Sequence, residues 1–129
     1  MKFRNICAYT FLISIAPSIH ASDYSQSYTS CMDKSEGVTV KMLNCDAAEM
    51  AQQDARLNHF YKVAKQNLTA EQSKKLLAAQ RAWLTYRQND CDVMGSLTGG
   101  TIDNINGSQC FLIKTKNRAD ELEILSNPL

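Results

Sequence analysis

The chain has no apolar run long enough to cross a bilayer, no C-x-x-C pair, one tryptophan, two prolines and two histidines. Each shortage excludes something. A membrane helix needs roughly 20 consecutive apolar residues, and none are found. Without C-x-x-C spacing and with so few imidazoles, a zinc site has no ligand set. There is no G-x-S-x-G and no cysteine with a histidine partner, so the usual hydrolytic machineries lack their parts. His59 stands alone beside Phe60 and reads as a helix-surface or packing residue rather than a general base. An excess of one charge is missing too: 14 Lys and Arg face 13 Asp and Glu, which argues against a nucleic-acid or anionic-membrane ligand. No cofactor and no catalytic residue are expected.

The beginning of the chain is more informative. Lys2 and Arg4 precede a nearly uncharged stretch from Ile6 to Ile19, interrupted by Pro17 and followed by the small residues Ala21 and Ser22. This is the layout of a secretory signal, expected to span residues 1 to 21 and to be cleaved after Ala21. The remainder, 22 to 129, suffices for one domain with one core. Of five cysteines, Cys7 leaves with the signal. Cys31, Cys45, Cys91 and Cys110 remain, an even number that favours two disulfides in an oxidising compartment. Four cysteines permit three pairings; proximity favours Cys31 with Cys45 and Cys91 with Cys110.

The spacing of Leu43, Ala47, Met50, Leu57, Tyr61, Ala64 and Leu68 predicts a long amphipathic helix from about Val40 to Asn67, after a polar start and a turn near Ser35, Glu36 and Gly37. Thr69 and Gln72 form a capping box that opens a second helix, expected to reach about Asp90 with Leu76, Leu77, Gln80, Trp83, Leu84, Arg87 and Cys91 on one broad face. Met94 to Gly107 has four glycines and no helical period, and reads as a long loop. A third helix is expected from Ser108 or Gln109 to Leu125, with Cys110, Ile113, Asn117, Leu122 and Leu125 in phase. The expected fold is all-α: a small bundle built on a long antiparallel helix pair, covered by the C-terminal helix and carrying two disulfides.

Two groups of residues stand out. Gln80, Trp83, Arg87 and Cys91 share one side of the second helix, with Trp83 as the largest apolar contributor to the core. On the first helix Asp54, Asn58 and Tyr61 share a face. They are expected to meet Arg87 or Arg118 in an interhelical polar network, since a planar guanidinium suits bidentate pairing with Asp54. The glycine-containing stretch lacks the lysine and spacing of a P-loop. Its length instead suggests a binding element, with Ser96, Thr98, Gly99, Gly100, Thr101 and Asn104 as contact residues.

Together these motifs resemble the LprI-type lysozyme-inhibitor family of small secreted bacterial proteins. The resemblance rests on Cys45, on Leu57-Asn58 with Tyr61, and on Gln80-Arg81 with Trp83, Tyr86, Arg87 and Cys91. It continues through Gly99-Gly100 and Cys110 to Thr115, Arg118 and Leu122. It implies an all-helical periplasmic or secreted domain and, for some members, inhibition of lysozyme. Lysozymes cleave peptidoglycan with an acidic pair in a cleft, so an inhibitor can plug the cleft and offer donors to those carboxylates. The stretch from Met94 to Asn106 contains no Lys or Arg; its backbone amides and hydroxyls, or a basic side chain from elsewhere, must supply the donors. The expected partner is therefore a protein, lysozyme or a related hydrolase. The alternative is an immunity or envelope-adaptor protein with a different protein partner.

Overall fold

The computed structural model describes residues 23 to 127; the expected signal segment, 1 to 21, lies outside the described residues. Four helices follow one another: α1 Gln26–Ser35, α2 Thr39–Asn67, α3 Ala70–Met94 and α4 Ile102–Ser126. Both disulfides are formed, Cys31 to Cys45 and Cys91 to Cys110, with Cα atoms 5.7 and 5.4 Å apart.

Helix α1 is absent from the sequence-based reading, and the reason is physical. Its residues carry no apolar stripe; only Ser35 is buried. The Ser25 hydroxyl caps it by accepting from the Tyr28 amide at 3.1 Å. The rest of its support is tertiary: the Cys31–Cys45 bridge, a hydrogen bond from Tyr28 Oη to Asp46 (2.8 Å), and Ser25 donating to the Glu49 carboxylate through both its amide and its hydroxyl. Glu36 (φ 52°) and Gly37 (φ 74°) then turn the chain through two left-handed residues.

The α2–α3 junction follows the capping box. Thr69 Oγ1 accepts from the Gln72 amide (3.2 Å) and Gln72 Oε1 from the Thr69 amide (2.9 Å). Helix α3 continues four residues past Asp90, to Met94, and Gly95 caps it. The long loop expected from Met94 to Gly107 is corrected: it spans only Gly95 to Thr101, because α4 begins at Ile102 rather than Ser108 and takes in Asn104 and Gly107. Gly107 sits inside the helix because its backbone lies against the end of α3. A Cβ there would stand 3.2 Å from the Gly95 Cα, so close approach offsets the roughly 1 kcal/mol that glycine costs in a helix.

Side-chain bonds fix the helix directions. Asn67, at the end of α2, donates to the Ser126 carbonyl at the end of α4, and Arg56 pairs with Asp120 and Glu123; α2 and α4 are parallel. Arg118 to Gln80, Arg87 to Thr115 and the Cys91–Cys110 bridge place α3 antiparallel to α4. The antiparallel α2 and α3 pack mainly through α4, which lies along α2 and contacts α3 less extensively. At the α2–α3 turn end, Leu57, Ala64, Leu76, Ala119 and Leu122 form the apolar core, with Phe60, Tyr61, Leu68 and Trp83 around it. The fully buried Ala64 and Ala119 leave room for close helix contact.

The expected stripes are partly redrawn. The N-terminal half of α2 buries Cys45, Asp46, Glu49 and Gln53 instead of Leu43, Ala47 and Met50, because the polar α1 segment supplies hydrogen bonds to that face. On α3, Leu84 is exposed. On α4 the buried face is Ile105, Leu112, Thr115, Ala119 and Leu122, leaving Ile113, Asn117 and Leu125 outside; the earlier helix start is what brings Ile105 into the interior.

Candidate binding surface

Because α2 and α4 are parallel, the α1–α2 turn and the α3–α4 loop close the same end of the bundle, and both disulfides lie towards that end. The α3–α4 loop is short and internally bonded. Asp103, buried in the first turn of α4, accepts from the Thr98 amide (3.0 and 3.2 Å), the Thr98 hydroxyl (3.0 Å) and the Gly99 amide (2.8 Å). Burial alone would raise the Asp103 pKa, but these three donors outweigh it and hold the carboxyl below the usual aspartate range. Thr98 Oγ1 also accepts from the Gly100 amide (3.1 Å), and Gly99 adopts φ 74°, a conformation glycine reaches without strain. Ser96 donates to the carbonyls of Asp92 and Val93. Thr101 precedes α4 and Asn104 lies in its first turn. The Thr98, Gly99 and Gly100 amides are thus engaged within the loop.

Around this loop large apolar side chains face solvent: Val93, Met94, Leu97 and Ile102. Leu97 is 59 % exposed and Val93 58 %, high values for residues that folding alone would place inside.

The second group separates into distinct contacts. Arg87 lies over the Trp83 ring at 4.8 Å and the Phe111 ring at 5.6 Å and donates to Thr115 Oγ1 at 2.8 Å; its Nε is buried without a partner. Burial lowers its pKa, opposed by the charge of Asp54, and the guanidinium remains a cation. Asp54 itself accepts from Asn58 (3.2 Å) and makes no ion pair with Arg87 or Arg118 among the described salt bridges. Arg118 instead donates to Gln80 (2.9 Å) and Glu121 (2.7 Å), and Tyr61 lies under Lys65. Spacing on one helix face could not show that Arg87 finds Thr115 of α4, and Arg118 finds Gln80 of α3 and Glu121 of α4, instead of Asp54.

The most extensive polar network went unread in the sequence. Buried Glu49 accepts from Ser25 and Gln53; Gln53 accepts from Arg56 (2.7 Å), which reaches Asp120 and Glu123. Burial would raise the Glu49 pKa, but hydrogen bonds from Ser25 and Gln53 and the Arg56 charge bring it below the usual value. Burial and the hydrogen bond to Asp46 push the Tyr28 hydroxyl well up. Only the spacing of four from Glu49 to Gln53 and of three from Gln53 to Arg56 hints at this ladder.

Among the described residues no group of three or more His, Cys, Asp or Glu is placed to hold a metal, and no helix is long and apolar enough to cross a membrane. No curated protein and no solved structure matches the chain significantly. A family model described as "Lysozyme inhibitor LprI" matches residues 31–122, which take in the four bridged cysteines, the Trp83–Arg87 stack and the α3–α4 loop. The chain belongs to the LprI lysozyme-inhibitor family.

Proposed function

We propose that the protein is an exported binding protein that inhibits lysozyme or another peptidoglycan hydrolase by seating the α3–α4 end of its bundle in the enzyme's cleft. One observation carries this reading: a loop held in shape by Asp103 stands between exposed apolar side chains, Val93, Met94, Leu97 and Ile102. An element already ordered before binding loses little conformational entropy when it docks. Apolar anchors that fill a partner's pocket commonly carry most of the affinity. The family description, which names inhibition and not turnover, supports the same reading. Ser96, Thr98, Gly99, Gly100, Thr101 and Asn104 form the polar rim. Because the Thr98, Gly99 and Gly100 amides are already engaged, the cleft's acidic pair draws its main donors from another element.

The test is a titration of the oxidised protein, lacking residues 1 to 21, against a chicken-type lysozyme on bacterial cell walls. Near-stoichiometric inhibition, lost on reduction, is the expected result. Leu97→Asp, which places a charge in the proposed contact without touching the core, is expected to weaken inhibition by about tenfold or more with unchanged helix content. Full inhibition by that variant would move the contact surface away from the loop. Absence of inhibition by the native protein would turn the reading to an immunity or envelope-adaptor protein with a different partner.

A further inference from the structure

The cleft between α1 and α2 has an arrangement of charge that the fold itself does not use. It measures about 570 Å³, and its lining includes Ser30, Lys34, Lys41 and Asn44 beside the Cys31–Cys45 bridge, with no carboxylate. Asp33, on α1, and Glu36, in the turn that follows it, do not line it. The disulfide explains the convergence. Lys34 follows Cys31 by three residues and Lys41 precedes Cys45 by four, so each lysine shares a helix face with its bridging cysteine. Closing the bridge sets two ammonium groups on one cleft.

Other clefts of this molecule differ. In the one lined by Asp90 and Lys114 the lysine is paired with the aspartate at 2.8 Å. In the one lined by Arg56 and His59 the arginine is committed to Asp120 and Glu123. A third, against Glu49, has no cation. Neither Lys34 nor Lys41 takes part in a salt bridge among the described residues. Lys41 also sits in the first turn of α2, where no acidic residue is present and where the helix dipole disfavours a cation. An anion in the cleft would suit the positive end of the helix dipole and the two ammonium groups that line it.

We infer that this cleft is a carboxylate-binding site, with Lys34 and Lys41 taking the charge and Asn44 and Ser30 hydrogen-bonding beside them. The source of the carboxylates rests on the function proposed above. The α1–α2 turn closes the same end of the bundle as the apolar loop, and the acidic pair of a glycoside hydrolase, two carboxyl groups about 5 to 10 Å apart, supplies the anion that the loop cannot bind.

Two measurements on the oxidised protein separate the site from its source. In the first, ¹⁵N-labelled protein is titrated with glutarate at constant ionic strength against a chloride control. Saturable shifts of the Lys34, Lys41 and Asn44 amide signals are expected, and their loss in K34Q/K41Q. No saturable shift, or the same shifts in the variant, overturns the site. In the second, K34Q/K41Q is compared with the native protein in the lysozyme titration. A loss of about tenfold or more, larger at low salt than at high salt, places the hydrolase's carboxylates in the cleft. Native-like inhibition by the variant overturns that placement. If glutarate binds but the native protein leaves lysozyme active, the lysozyme reading fails while the carboxylate site stands.

Discussion

At Asp103 one carboxylate determines the shape of a loop. It is buried beside the first turn of α4 and takes the Thr98 and Gly99 amides and the Thr98 hydroxyl, and its negative charge also suits the helix N-terminus. Because these donors lower its pKa, its contribution is fully present above the ordinary aspartate value near pH 4. It is lost as pH falls through the lower folded-state value. The Thr98 and Gly99 amide signals are therefore expected to titrate together in an NMR pH series, with a midpoint below about 4, and Asp103→Asn should abolish that titration and loosen the loop. A midpoint at or above the ordinary value would mean that the amides do not hold the carboxylate. Sequence reading cannot assign this role, because nothing in the spacing of Asp103 shows that the chain folds the Thr98 and Gly99 amides back onto its carboxylate.

Element by element, the chain was legible where local chemistry decides and illegible where a partner element does. The Thr69–Gln72 box and the long α2 depend on near neighbours, and they stand as expected. The start of α4 does not. Gly107 lowers helix propensity in isolation and belongs in the helix only because Gly95 packs against it, a contact that spacing cannot reveal. Helix α1 is the extreme case, with no apolar stripe and one buried residue. It packs chiefly on α2 and relies on the Cys31–Cys45 bridge, a 14-residue separation that stabilises by about 3 kcal/mol in the chain-entropy model. In C31A/C45A, hydrogen exchange is expected to show early loss of protection along α1, while the interiors of α2, α3 and α4 stay protected at 25 °C. Equal loss along all four helices would show that α1 is an integral part of the cooperative unit. The same dependence hid the Lys34–Lys41 cleft, which exists only once the bridge has set α1 on α2.

On the scale of the whole molecule, α4 is the element that α2 and α3 share, so its contact face should govern global stability. The direct evidence is the composition of that face: Leu112, Thr115, Ala119 and Leu122 are essentially without solvent exposure, and Arg87, Gln80, Asn67 and Arg56 reach α4 from both neighbours. Ala119 is the sensitive point, because it and Ala64 are fully buried in the core. Ala119→Leu inserts three further heavy atoms into that contact, an overpacking expected to cost ~1–3 kcal/mol. For a domain of this size each kcal/mol lowers Tm by about 4–8 °C. If α4 is the shared support, the loss must appear in one transition, with far-ultraviolet helix signal and Trp83 fluorescence melting together at the lower temperature. A split, in which fluorescence from the α3–α4 contact is lost while most helix signal persists, would show that α2 and α3 hold each other without α4.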